Sequence, residues 1–105
     1  GCTPLILSLP PMEAQRYFDF FTRTFNEEQR KNVLNWLKGS VDTIWAGHEL
    51  YNDAVKRVSA LTDTQLIDIT TPLGNGSSYL CADGIHPNLY GQATIAKIIN
   101  KNIIH

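Results

Sequence analysis

The residues best suited to chemistry in this sequence are Asp83 and His86, within the segment Asp-Gly-Ile-His-Pro at positions 83–87. A carboxylate three residues before an imidazole, joined through the flexible Gly84, can fold back and accept the Nδ1 proton of the histidine. Nε2 then stays free, and an imidazole held in one tautomer by a carboxylate is suited to take a proton from a hydroxyl nucleophile. The spacing therefore predicts an acid–base pair.

The same five residues also have a purely structural interpretation. Asp-Gly is a common turn, and Pro87 suits the first turn of a helix while it disfavours a helical conformation at His86. In this interpretation His86 is a partly exposed residue at a helix entrance. The segment by itself leaves both interpretations open.

Other nucleophiles lie near the predicted pair. Ser77, Ser78 and Cys81 are close to His86 in sequence, and a cysteine beside a histidine can be activated as a thiolate. The segment lacks the sharp strand-to-helix turn that presents a nucleophile, which favours a role as loop formers for these residues.

A metal site is not indicated. The acid–base pair would need His48 or Glu49 from a distant segment, and no paired-histidine spacing is typical of zinc. Cys2 and Cys81 permit one disulfide but have no partner at metal-binding spacing. We therefore expect no metal and no organic cofactor.

Two predicted strands position the loop that carries the pair. Residues 3–10 (TPLILSLP) are nearly all apolar, which predicts a strand buried on both faces of a parallel sheet. Residues 65–69 (QLIDI) predict a second strand, and residues 70–87 form a loop that leaves its carboxyl end. Ligands gather beyond the carboxyl ends of parallel strands, so functional residues are expected in this loop.

Three segments with apolar side chains at helical spacing predict helices: residues 26–38, 46–61 and 88–101. Asn26 can cap the first of them, Gln29 can reach back to the Asn26 backbone, and Gly39 offers a left-handed stop. Strands separated by helices predict a parallel sheet with right-handed crossovers, hence an α/β layered domain.

Composition limits the classes of function. The chain has 105 residues, 43% of them hydrophobic, which is enough for one small domain and excludes a disordered tail. Nine basic against ten acidic residues, a net charge of −1, give no support for nucleic-acid binding. No apolar run approaches the roughly 20 residues that a membrane span needs, and no secretory signal is seen. The compartment is not indicated.

The string ADGIHPNLYGQATIAKII, residues 82–99, resembles the last sequence block of the SGNH (GDSL-type) hydrolases, in which an Asp-x-x-His pair precedes the C-terminal helix. Residues 51–70 (YNDAVKRVSALTDTQLIDIT) resemble that family's penultimate helix and strand, and residues 4–11 (PLILSLPP) resemble an earlier strand. The resemblance covers most of the chain. It implies that Asp83 is the triad acid and His86 the base.

The sequence departs from the family upstream of these blocks. The family's nucleophilic serine lies in a Gly-Asp-Ser block, and its oxyanion hole uses a glycine and an asparagine from two further blocks; none of these blocks is present. Asn52-Asp53 stands in the wrong order for the asparagine block, and a solvated helix face explains it better. The resemblance thus implies that residues 1–105 are the C-terminal part of a single domain, and the abrupt start with a strand also suggests a longer protein. The implied fold is the C-terminal portion of a three-layer, flavodoxin-like parallel-sheet SGNH fold.

The function implied is that of a serine esterase or acylhydrolase, cleaving small-molecule acyl esters through an acyl-enzyme. The nucleophile would come from the N-terminal half of the domain or from a second chain.

Tyr17, Phe18 and Phe21 belong to an aromatic segment that follows the first strand. Core packing is the favoured interpretation of these residues, and an acyl or sugar pocket is the functional alternative. The rival function is that of a non-catalytic α/β binding or interaction module, a fragment or degenerate hydrolase domain with an exposed sheet edge.

Overall fold

The computed structural model describes residues 2–103, in which helices separate the two strands, as the sequence predicts. The elements are β1 (Leu5–Leu7), α1 (Ala14–Phe21), α2 (Glu27–Trp36), α3 (Asp42–Thr62), β2 (Gln65–Ile67) and α4 (Leu89–Ile103), with a short 3-10 turn at Thr71–Leu73. The two strands pair in parallel, and Ile6 lies opposite Leu66. The described residues thus form a mixed α/β structure with a two-stranded parallel sheet and four α-helices.

Burial is uneven across the sheet. Ile67 of β2 is 1% exposed, whereas Leu5 and Leu7 of β1 are 40% and 38% exposed. The prediction that the first strand is buried on both faces is therefore wrong for the described residues. The physical reason is that β1 packs mainly on β2 and α3, which leaves the side chains of Leu5 and Leu7 partly exposed to solvent.

The predicted start of the first amphipathic helix is confirmed at α2. The Asn26 side chain accepts a hydrogen bond from the Gln29 N–H at 2.8 Å, and the Gln29 side chain accepts one from the Asn26 N–H at 3.0 Å. This capping box satisfies two of the amide groups that a helix start leaves unpaired. The chain leaves the helix through Lys38 and Gly39, both of which have positive φ.

The apolar spacing predicts that the second helix begins at residue 46, but helix α3 begins at Asp42. The hydroxyl of Ser40, two residues before the helix, accepts a hydrogen bond from the Asp42 N–H at 3.1 Å, a local turn that apolar spacing does not reveal. The Asp42 carboxylate also lies in the first turn, where the helix dipole favours negative charge. Within residues 2–103, no helix combines the length and apolar character needed to cross a membrane.

The carboxyl ends of the two strands are joined by the buried side chain of Ser8. Its hydroxyl accepts hydrogen bonds from the N–H groups of Ile69 (2.8 Å) and Thr70 (3.2 Å), and it donates one to the Asp68 carboxylate at 3.2 Å. One side chain after β1 therefore fixes the backbone that follows β2, where the predicted functional loop begins.

Asn52 adds a second polar connection from α3. Its side-chain oxygen accepts a hydrogen bond from the Leu9 N–H at 2.9 Å, and its amide donates one to the Thr70 hydroxyl at 3.1 Å. Asn52 is only 7% exposed, so its interpretation as part of a solvated helix face is wrong, whereas Asp53 is exposed. Buried backbone amides need acceptors, and Asn52 supplies one to the chain leaving β1.

Helix α4 lies close against the loop over residues 70–87 because of Gly91. A Cβ added at Gly91 would lie 2.2 Å from the Tyr79 carbonyl oxygen, well inside van der Waals contact. The Gly91 N–H donates to the Asn88 side chain at 2.8 Å, so Asn88 caps the start of α4. Only a residue without a side chain allows this approach.

We expect opposite effects from alanine at two helical glycines. Gly47→Ala in α3, where a Cβ meets nothing within 4 Å, should raise the free energy of unfolding by about 0.5–1 kcal/mol through better helix propensity. Gly91→Ala should lower it by about 1–3 kcal/mol through overpacking. Urea denaturation followed by tryptophan fluorescence measures both, and equal effects at the two sites would contradict the close approach of α4.

Candidate active site

Asp83 and His86 meet in a tight turn. Gly84 has φ +74°, a conformation that L side chains rarely adopt. One oxygen of the Asp83 carboxylate accepts the N–H groups of Ile85 and His86, each at 3.0 Å. The other oxygen lies 2.5 Å from Nδ1 of His86. The turn thus holds the carboxylate and the imidazole against each other.

The electrostatics of the turn favour an ionised carboxylate. The backbone N–H of His86 is the main cause that lowers the pKa of Asp83 from 3.8 to about 2. Partial burial acts in the opposite direction, while the imidazole and the Ile85 N–H lower the pKa further. A carboxylate that is ionised at neutral pH can only accept a hydrogen bond from Nδ1–H, so a neutral imidazole here carries its hydrogen on Nδ1.

The two side chains differ in their access to solvent. The Asp83 side chain is 17% exposed and the His86 side chain is 72% exposed. Within residues 2–103, Nε2 of His86 makes no hydrogen bond, and its lone pair is open to an incoming donor. This arrangement can act as a general base toward a hydroxyl group or a water molecule.

The loop around the turn is joined to the start of α4 by backbone hydrogen bonds. Cys81 N–H donates to the His86 carbonyl at 2.7 Å, and Asn88 N–H donates to the Tyr79 carbonyl at 2.8 Å. The Asn88 side-chain amide also donates to the carbonyls of Ser78 (3.1 Å) and Leu80 (3.3 Å). These contacts keep the ends of the loop together.

The alternative nucleophiles have other partners. The Ser77 hydroxyl donates a hydrogen bond to the Glu13 carboxylate at 2.5 Å, and the Cys81 thiol contacts a backbone carbonyl at 3.6 Å. Ser78 is exposed. None of these three side chains hydrogen-bonds to His86 in the described part of the chain, where both cysteines are free thiols.

Of the three predicted substrate-binding aromatics, Phe21 contacts the other two. The ring of Phe21 lies 5.1 Å from that of Tyr17 and 5.6 Å from that of Phe18, and Phe18 is 5% exposed. This cluster shows the packing that large aromatic side chains usually provide. A role in substrate binding for Tyr17, Phe18 and Phe21 stays a prediction.

An open groove of about 770 Å³ lies beside α1, on the side where Ala82 leads into Asp83. Its lining includes Arg16, Phe20 and Trp45, and the sequence predicts a role in the site for none of these three. Phe20 belongs to the aromatic segment, and the guanidinium carbon of Arg23 lies 4.0 Å from the centroid of its ring. Trp45 lies one position before the predicted helix start at residue 46, so the helical spacing does not include it.

The histidine considered as a distant metal ligand has a structural partner. Nε2 of His48 lies 2.8 Å from the Pro10 carbonyl oxygen, and its ring stacks on Trp45. No group of three or more His, Cys, Asp or Glu side chains in residues 2–103 is arranged to hold a metal ion.

The chain has no significant match among protein-family models, curated proteins or solved structures. The chemistry of the site therefore has to be argued from its own geometry. The strongest element of that geometry is the carboxylate–imidazole pair with an open Nε2.

The lowered pKa of Asp83 predicts a defined pH dependence of stability. A carboxyl group with a folded-state pKa near 2 and an ordinary value of 3.8 stabilises the fold fully above about pH 4, and this contribution is lost as the pH falls to about 2. The difference in free energy of unfolding between wild type and Asp83→Asn should therefore shrink across this window. Chemical denaturation between pH 6 and pH 2 measures it, with the exposed Asp53→Asn as control; a constant difference would contradict the assignment.

Proposed function

We propose that this chain supplies the acid–base residues of an SGNH-type serine hydrolase that cleaves acyl esters. The observation that carries the proposal is the 2.5 Å contact between the Asp83 carboxylate and Nδ1 of His86, with the imidazole otherwise exposed. A pair of this kind fixes the tautomer of a general base. The sequence resemblance of residues 82–99 to the last block of that family supports the same assignment.

The proposed reaction uses a serine outside residues 1–105. Nε2 of His86 takes the proton of that serine hydroxyl as the oxygen attacks the ester carbonyl, and the imidazolium then gives the proton to the departing alcohol. In the second half, Nε2 takes a proton from water, which attacks the acyl-enzyme and releases the carboxylic acid. The Asp83 carboxylate stabilises the imidazolium in both halves. No cofactor is required by this scheme.

The same proposal gives the sheet a place in a larger fold. Strands β1 and β2 would be neighbouring strands of a three-layer, flavodoxin-like sheet, and the N-terminal half of the domain or a second chain would bring the serine. The parallel pairing of the strands and the position of the site after the carboxyl end of β2 support it. The partial exposure of the Leu5 and Leu7 side chains also supports it.

A non-catalytic role has its own support. The sequence contains no Gly-Asp-Ser segment, and Leu5 and Leu7 present apolar surface that another chain could cover. An α/β module that binds a partner chain or a carbohydrate would show these two features and would need no nucleophile. The two functions differ in whether an activated serine is found with this chain.

A fluorophosphonate probe distinguishes the two functions. The probe reacts with activated serines, and intact-mass spectrometry under denaturing conditions locates the adduct. We expect the adduct on a polypeptide or segment that accompanies this chain. Absence of any adduct favours the non-catalytic module, and an adduct on Ser77 or Ser78 would overturn the division of roles.

In the assembled hydrolase we expect His86→Ala to lower kcat/KM for a p-nitrophenyl ester by about 10⁴–10⁶-fold, because the imidazole paired with Asp83 is the group that takes the serine proton in this scheme. Asp83→Asn should cost somewhat less. The exposed Asp53→Asn on α3 is the matched control and should keep wild-type turnover. Wild-type rates in either site variant would overturn the proposal.

A further inference from the structure

Arg16, in the first turns of α1, binds the loop that precedes the catalytic turn. One of its terminal nitrogens donates to the carbonyls of Cys81 (3.3 Å) and Leu80 (3.5 Å). The other donates to the Ser77 carbonyl at 3.3 Å and pairs with the Glu13 carboxylate at 2.7 Å. One guanidinium group thus donates hydrogen bonds to three carbonyls of the loop. None of these contacts involves the side chains of Asp83 or His86.

Glu13 completes the contact between the helix and the loop. Its second carboxylate oxygen accepts the Ser77 hydroxyl proton, and its backbone N–H donates to the Gly84 carbonyl at 2.9 Å. A Cβ at Gly84 would lie 2.9 Å from both the Glu13 carbonyl oxygen and the Tyr17 nitrogen. The start of α1 therefore touches the loop at Ser77 and the turn at Gly84.

Cys81 links the guanidinium to the turn through its peptide groups. Its carbonyl accepts from Arg16 and also from the Gly84 N–H at 3.0 Å, while its N–H donates to the His86 carbonyl at 2.7 Å. A displacement of the Cys81 carbonyl would therefore disturb hydrogen bonds at both ends of the Asp83–His86 turn.

The chemistry of the Arg16 guanidinium suits it to bind several carbonyls of the loop at once. The side chains of Arg16 and Glu13 are only 33% and 25% exposed, so their contacts are partly shielded from water. Hydrogen bonds from a charged donor are stronger than neutral ones, and a planar guanidinium can serve several acceptors in fixed directions. A lysine ammonium at position 16 keeps the charge but has no rigid fork to span the same acceptors.

We propose that Arg16 is a positioning residue, which holds the Asp83–His86 turn in its reactive geometry by binding the carbonyls of Ser77, Leu80 and Cys81. The inference rests on the proposed function for its importance to catalysis. Its structural part, the dependence of the imidazole's position on Arg16, is measurable without any reaction. Loss of Arg16 lets the loop move and separates Nδ1 of His86 from the carboxylate.

The test is the tautomer of the His86 imidazole, read from its ring-nitrogen shifts in long-range ¹H–¹⁵N spectra of the 105-residue chain in alkaline buffer. We expect the Nδ1–H form to dominate in wild type and to lose its dominance in Arg16→Gln. Amide exchange at Gly84 should also accelerate about tenfold or more in that variant. Arg16→Lys should fall between the two.

Arg30→Gln is the matched control. Arg30 pairs with Asp19 at 2.9 Å, so it makes an arginine–carboxylate contact to the same helix α1 without touching the loop. Its loss should leave the His86 tautomer and the Gly84 exchange rate unchanged. An equal effect of Arg16→Gln and Arg30→Gln would mean general destabilisation and would overturn the inference.

The outcomes separate this inference from the proposed function. A wild-type imidazole without a dominant Nδ1–H form overturns the acid–base pair itself, and with it both proposals. A dominant Nδ1–H form that survives in Arg16→Gln overturns only the role of Arg16.

If Arg16→Gln does not fold, the same two measurements are made on Arg16→Lys instead. In the assembled hydrolase, a positioning role predicts a loss in kcat with KM nearly unchanged.

Discussion

The buried hydroxyl of Ser8 is the contact on which the geometry of the loop over residues 70–87 depends. It satisfies the backbone amides of Ile69 and Thr70, and it donates to the Asp68 carboxylate. Burial raises the pKa of Asp68, but hydrogen bonds from Thr71, Thr70 and Ser8 outweigh it and lower the pKa overall. An ionised carboxylate thus fixes the exit of β2, and the loop starts from a defined point.

From that point onward, the site is held by close backbone approaches rather than by a large apolar core. Gly84 touches the start of α1, and Gly91 touches the Tyr79 carbonyl, both at distances that exclude a side chain. Asn88 then joins the loop to α4 through its side-chain amide. The imidazole of His86 remains exposed, yet the backbone on both sides of it is fixed, which is the combination that a general base on a loop requires.

The features that the sequence predicts correctly are those made by near neighbours in the chain. The contact of Asp83 with His86 spans three positions, as does the capping box of Asn26, so spacing alone reveals both. The spacing predicts neither the buried role of Asn52 nor the loop contacts of Arg16, since their partners lie 43 and 65 positions away. Helical periodicity indicates which positions share a face of a helix. It does not indicate which face packs against backbone N–H groups that need a hydrogen-bond acceptor. The exposure of Leu5 likewise depends on how many elements cover the sheet.

The parallel pairing of β1 with β2 has a consequence for the order of folding. Ser8 and Ile69 are 61 positions apart, so their contact requires most of the chain to close into a loop. The entropic cost of that closure precedes the gain from pairing, whereas the helices between the strands form from local contacts. Arg16 and Cys81 are similarly distant. The Asp83–His86 turn is therefore expected to acquire its final support late, when the strands have met, and a nascent chain would carry these two residues before it could hold them in place.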